Sequence, residues 1–186
     1  MADNYLTNQF LIAMPALADP NFSHTVSYIC DHTPEGAMGV ILNRPTELRF
    51  EDLLGQLGIE PADDEIANIP VYHGGPVQIE RGFVLHQPLG EWESTLPITS
   101  NIGLTMSQDI IEAIANGVGP NKFHVALGYA GWGEGQLEEE IVSNAWLTGP
   151  SDEVVVFDEP VERRWQAAAS ALGIELNLLS PDVGHA

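Results

Sequence analysis

The first half of the chain is a series of short apolar runs separated by turn-forming residues. "QFLIAMP", "TVSYIC", "AMGVILN" and "GFVLH" are each rich in Val, Ile, Phe or Tyr and bounded by Pro, Gly, Asn or Asp, the pattern of short buried β-strands. Pro15 ends the first of them. Between the second and third, "DHTPEG" (31–36) carries the Pro and Gly of a connection between adjacent strands, so 26–30 and 37–42 are predicted to form a hairpin. After "NRP", the stretch "FEDLLGQLG" sets Leu53, Leu54 and Leu57 on one helical face, with Gly58 as its stop. The most hydrophilic stretch, "EPADDEIAN" (60–68), reads as a surface loop, because it is short and apolar segments resume at once.

From Thr105 the apolar period changes from two to nearly four. "TMSQDIIEAIANG" spaces Ile110, Ile111 and Ile114 as a helix does, with Thr105 or Ser107 as cap and Gly117 as terminator. "KFHVALGYAG" returns to strand character, and "GQLEEEIVSNAWL" then spaces Leu137, Ile141 and Ala145 at helical intervals with Glu138 to Glu140 largely outward. After "EVVVF", Asp158 and Pro160 open a third helix that carries Val161, Trp165, Ala168 and Leu172 inward and closes at Gly173. Strands followed by alternating helix and strand predict an α+β fold: one compact domain over residues 1–186 around a central mixed sheet. The chain has no internal repeat, heptad run or low-complexity tract.

Composition narrows the function classes. Six Lys and Arg stand against 27 Asp and Glu, a formal net charge of -21 over 186 residues. Such a surface repels phosphate backbones and anionic membranes, which argues against direct nucleic-acid binding. Cys30 is the only cysteine, which excludes an internal disulfide and cysteine zinc motifs and suits a reducing cytoplasm. "FLIAMPALAD" resembles the core and cleavage site of a signal peptide, but the preceding "MADNYLTNQ" has no Lys or Arg, so the run is read as a buried strand. No segment approaches the roughly 20 apolar residues of a spanning helix. The expectation is a cytoplasmic protein without a membrane partner, metal or cofactor.

Candidate chemistry is sparse. "LGYAGWGEGQLEEE" has the glycines of a phosphate loop, yet Gly131, Gly133 and Gly135 do not match G-x-G-x-x-G, no Gly-Lys-Ser/Thr follows, and Glu134 and Glu138 would repel a phosphate. Structural glycines with Trp132 packed over the turn are the expectation there. An unbroken strand through "HTVSYICDH" would line His24, Val26, Tyr28, Cys30 and His32 along one face, with Cys30 buried as a small apolar residue. Neither a G-x-S-x-G elbow nor an H-E-x-x-H helix is present. "YHGGPVQIERGF" is the remaining candidate. In a chain with so few cations, Arg44 and Arg81 both lie beside turns, and Gly74 and Gly75 could offer backbone N–H groups to an anion between them.

"FLIAMP", "DPNFSHTVSYI", "GAMGVILNRP", "YHGGPV", "RGFVLH", "LGYAGWGEGQLEEE" and "NAWL", in that order, resemble the YqgE/AlgH family of bacterial proteins. The resemblance covers Tyr5 to about Leu147 and continues through the last helix. It implies a single α+β domain with a central mixed, partly barrel-like sheet surrounded by helices. It brings no catalytic residue set, and the AlgH name reflects a proposed regulatory role in alginate production. The family motifs fall here on Asn43, Arg44 and Pro45, on Gly74, Gly75 and Pro76, and on Gly131 and Trp132.

Together these features point to a regulatory or ligand-binding domain that acts indirectly on gene expression. Its expected partner is a small anionic ligand held by Arg44, Arg81, Gly74 and Gly75, or another protein. Two alternatives are an enzyme, a hydrolase or transferase with His73 or His86 as general base, and a direct transcription regulator. The charge of -21 and the lack of a basic helix-turn-helix pattern weigh against the last.

Overall fold

In a computed structural model, residues 5–176 are described; residues 1–4 and 177–186 of the expected domain lie outside the described residues. The apolar runs form strands, and both faces of those strands are covered. Strand β1 (Gln9–Ala13) turns Phe10 and Ile12 into one apolar cluster and Leu11 and Ala13 into another. Burial on both faces is why that run is continuously apolar rather than alternating.

Strands β2 (Val26–Thr33) and β3 (Gly36–Ile41) form the expected antiparallel hairpin, with pairing carried outward to Thr33 and Gly36. The strand expected to be unbroken has a bulge at Cys30: Ile29 pairs with Gly39 and Asp31 with Met38. The extra residue reverses the alternation beyond it. Cys30 stays in the cluster of Val26 and Tyr28, its thiol pushed up by burial, whereas His32 meets Glu138 at 3.2 Å. His24 lies outside the strand with a φ of +59°, so the predicted row of His24, Cys30 and His32 does not form.

Strand β4 (Pro45–Arg49) leads into helix α1 (Phe50–Leu57), stopped by Gly58 at a φ of +70° as expected. Phe50, Leu53 and Leu54 make its buried face, and Leu57 points outward. The hydrophilic stretch 60–68 contains a short helix, α2 (Asp64–Ala67), capped by Asp63, whose carboxylate accepts from the Ile66 N–H at 2.8 Å. Strands β5 (Pro70–His73), β6 (Val77–Gln87), β7 (Thr95–Pro97) and β8 (Gly103–Thr105) follow, then α3 (Gln108–Ala115), which starts after Ser107 and buries Ile110, Ile111 and Ile114.

Strand β9 (Lys122–Trp132) is the spine of the molecule. One edge pairs with β6; the other pairs with β5 in parallel at Tyr72 and His73, then with β3 in antiparallel at residues 37–39. Gly128, with a φ of +78°, stands where the partner changes. Helix α4 (Gln136–Val142) ends earlier than its apolar spacing predicts, and Trp146 opens a further strand, β10 (Trp146–Pro150), paired with β1. A wide helical turn over Val154–Asp158 precedes α5 (Arg164–Ser170), where Ala168 and Ala169 are buried and Gly173 has a φ of +74°.

The strands run β10-β1-β2-β3-β9-β6-β8-β7 in one curled sheet, antiparallel except for the β5–β9 pair. The result is a half-barrel α+β domain, as expected. One face holds Phe10, Tyr28, Val40, Phe83 and Leu85 against α5, while α1 and α3 cover Val71, Val84 and Val125 on the other. A third cluster, built from Ile29, Ala130, Trp132 and Trp146, lies under Leu137 of α4.

Candidate functional site: the recesses flanking Trp132

The corner expected to hold an anion is closed by the backbone itself. Gly74 donates its amide to Leu127 O at 2.8 Å, and its carbonyl accepts from the Ile41 N–H at 2.9 Å. Both glycines are buried against β9. A methyl group on Gly74 would lie 2.3 Å from Gly128 O, and one on Gly75, at a φ of +155°, would lie 2.1 Å from the carbonyl carbon of Tyr129. The glycines are there because three backbone segments cross without room for a side chain. The Gly74 amide does not offer itself to a ligand, which corrects the expectation of a glycine cradle.

The two arginines are also engaged separately. Arg44 donates to Pro20 O at 3.1 Å and to Ser23 O at 2.7 Å, while Asn43 accepts from the Val26 N–H and donates to His24 O. The "NRP" motif is therefore a clip that fastens the loop before β2. Arg81 is exposed, donates to Gln78 Oε1 at 3.3 Å and lies 5.7 Å over the Phe83 ring. It lines a depression of about 550 Å³ with Pro76, Gln78, Ile79 and Glu80.

A cation not singled out in the sequence lies behind the clip. Arg164 is buried, donating through Nε to Glu159 O and through Nη1 to Leu42 O at 2.8 Å, with its guanidinium 5.6 Å over the Tyr72 ring. Tyr72 stacks on His124 at 4.3 Å. Burial and the neighbouring Arg164 lower the His124 pKa to about 3, so its imidazole is neutral.

Of the two candidate general bases, His86 has no ring nitrogen free. His86 is fully buried in β6, with Nδ1 2.9 Å from Pro88 O and Nε2 2.6 Å from Thr105 Oγ1. A carbonyl can only accept, so Nδ1 carries the hydrogen, Thr105 donates to Nε2, and Thr95 donates to Thr105 across 2.7 Å. Both ring nitrogens are occupied, which corrects the expectation that this histidine reaches a substrate. His73 is half-buried; burial and then the charge of Arg44 lower its pKa.

Gly131 and Trp132 have different surroundings. They close β9 where it leaves the sheet for α4, and recesses lie on both sides of Trp132. One, of about 420 Å³, is lined by Asp31, Glu35, Met38, Val77, Tyr129 and Gly131. The other, of about 160 Å³, is walled by Phe22, Trp132 and Trp146 with Asp19, Gln136 and Glu140. Glu140 Oε1 accepts the indole N–H of Trp132 at 3.1 Å and that of Trp146 at 2.9 Å. Neither recess has a Lys or Arg in its lining. The chemistry available here is the opposite of that expected around Arg44 and Arg81: carboxylates beside aromatic faces, suited to positive charge.

Sequence reasoning found Gly131 and Trp132 and missed Asp19, Phe22, Glu140 and Trp146. In the sequence Glu140 belongs to an acidic run, and only its position one helical turn beyond Gln136 marks it. The Gln136 Nε2 donates to Glu140 Oε2 at 2.9 Å.

Among the described residues no helix is long and apolar enough to cross a membrane. A UPF0301 protein of Thioalkalivibrio sulfidiphilus is 55% identical over 100% of this chain and 99% of its own length. Another, of Hahella chejuensis, is 56% identical over 97% of this chain and 96% of its own. The solution structure of the AlgH protein from Pseudomonas aeruginosa is similar with a TM-score of 0.82 at 47% identity, covering 100% of this chain and 98% of that one. A crystal structure of a Corynebacterium diphtheriae protein shares the fold, with a TM-score of 0.74 at 17% identity over 97% of this chain and 94% of its own. The family profile described as AlgH-like matches residues 10–177, and with these relatives it establishes that the chain belongs to the AlgH-like family.

Proposed function

We propose that this protein is a regulatory binding domain with no bond-making chemistry of its own, and that it meets its effector or partner at the acidic, aromatic surface on either side of Trp132. One observation carries the reading: Trp132 separates two recesses that are lined by carboxylates and rings and contain no cation of the protein. A binding partner of positive charge fits a chain of net charge -21, and long-range attraction would speed its approach. An effect on gene expression would then be indirect, through a basic protein or cationic effector rather than through DNA. The expected anionic ligand finds less support, because Arg44 is occupied by backbone carbonyls and Gly74 by β9.

Titration of isotope-labelled protein with a lysine-rich peptide, an aspartate-rich peptide and inorganic phosphate tests the reading by amide shifts. The lysine-rich peptide should move Met38, Tyr129 and Gly131 at low salt, with the effect fading as salt screens the attraction. Phosphate shifts centred on Arg44, with Gly131 unmoved by either peptide, would overturn it.

A further inference from the structure

Resting on that reading, the smaller recess has a more definite chemistry. Glu140 is half-buried, and its negative charge is met by neutral donors alone: two indole N–H groups and the Gln136 amide. The ion pairs among the described residues join His32 to Glu138 and Lys122 to Asp158, and neither reaches Glu140. A second carboxylate, Asp19, lines the same recess, exposed at its edge, where Oδ1 accepts from the Asn21 N–H at 2.8 Å. The rings of Phe22, Trp132 and Trp146 lie 5.4 to 6.2 Å apart by their centroids. At those spacings they touch each other, so a guest lies along the wall they form rather than between them.

We propose that this recess is a binding site for a single alkylammonium group, with its methylene chain along the Trp132, Trp146 and Phe22 wall and its ammonium within reach of Glu140 and Asp19. The recess volume of about 160 Å³ suits a chain of lysine side-chain length rather than a larger amine. An anion meets two carboxylates and no donor with a charge. A purely apolar guest covers a carboxylate and removes its water without compensation. An ammonium on an alkyl stem satisfies both parts of the wall, since the rings take the stem and the acids take the charge. The group could come from a lysine of a protein partner or from a free small amine; the chemistry is the same.

The experiment follows the indole Nε1–H signals of Trp132 and Trp146 in the full chain during titration with n-butylammonium chloride, sodium butyrate and n-butanol. Butylammonium should shift both signals in a saturable way, and the other two should not. Glu140→Gln keeps an oxygen to accept the indole hydrogens while removing the charge, and it should weaken butylammonium binding about tenfold or more. Asp19→Asn should weaken it about threefold. Equal binding by Glu140→Gln, or no indole shift with butylammonium, sinks the proposal. A capped lysine peptide separates the sources: tighter binding than butylammonium indicates a protein's side chain, and weaker binding a free amine. Should a lysine-rich peptide shift Met38 and Tyr129 while both indoles stay fixed, the site is wrong but the broader reading stands. Should no cation shift either recess, both fail.

Discussion

Two glycine-rich corners flank β9, and they use glycine for opposite purposes. At Gly74 and Gly75 an added methyl group would lie within 2.3 Å of backbone atoms, so the missing side chains let three segments cross. Around Gly131, Gly133 and Gly135 the nearest neighbours stand at 3.4 Å, at 3.8 Å and beyond 4 Å. The first corner is full and the second is open. The same contrast holds for charge. Arg164, behind the closed corner, has backbone carbonyls and the face of Tyr72 for partners, whereas Glu140, at the open one, borders a recess. A glycine cluster beside polar residues is thus evidence of a site only when space remains around it.

Gly75→Ala has the largest expected effect. The clash with Tyr129 cannot be relieved by rotating a side chain, and the backbone conformation itself disfavours a Cβ, so a loss beyond about 4 kcal/mol is expected. Circular dichroism and the amide spectrum would read the loss, and a folded, stable variant would show that the corner has room after all.

Arg164→Leu comes next, with an expected cost of about 3 kcal/mol in chemical denaturation, because Leu42 O and Glu159 O lose charged donors. A neutral result would mean that those carbonyls reach water instead.

His124 titrates near 3 in the fold and near its ordinary value when unfolded, so the unfolded chain takes up a proton that the folded chain refuses. Stability should therefore fall as pH drops from about 6.5 towards 3, by on the order of 1.4 kcal/mol per unit from this residue. His86 and His73 are shifted in the same direction. His124→Phe keeps a ring against Tyr72 and should flatten the profile by close to one proton; an unchanged slope would locate the acid sensitivity elsewhere.

The smallest effect belongs to the open corner. Gly131→Ala meets only ordinary contacts, with Tyr129 Cε2 at 3.4 Å, and should alter stability by less than about 0.5 kcal/mol. A large loss there would erase the distinction between the corners.

Much of the fold was legible because it rests on local chemistry. Proline and glycine marked the ends of β1, α1 and α3, and apolar spacing identified Ile110, Ile111 and Ile114 as one buried face. The short strands β4, β7, β8 and β10 were not legible, because each is defined by pairing with a distant segment. Helix α4 stopped early for a related reason: Trp146 is drawn into pairing with Ala13, and Asn144 takes a φ of +62° to redirect the chain. The candidate site was half legible. Gly131 and Trp132 stood out as residues, and the glutamates beside them spoke against a phosphate, but Asp19, Phe22, Glu140 and Trp146 did not stand out as their neighbours.

By itself the sequence determined what each residue can do: which runs must be buried, where the chain can turn, that the surface is strongly acidic, and that no standard catalytic motif is present. Tertiary structure decided which of those capacities remain free. It engaged Arg44 with carbonyls of residues 20 and 23, closed Gly74 and Gly75 under β9, and turned Glu140 inward beneath two indoles. The reason is physical. A hydrogen-bonding group or an open backbone becomes a binding site only if the rest of the fold leaves it unused, and that depends on contacts between residues far apart along the chain.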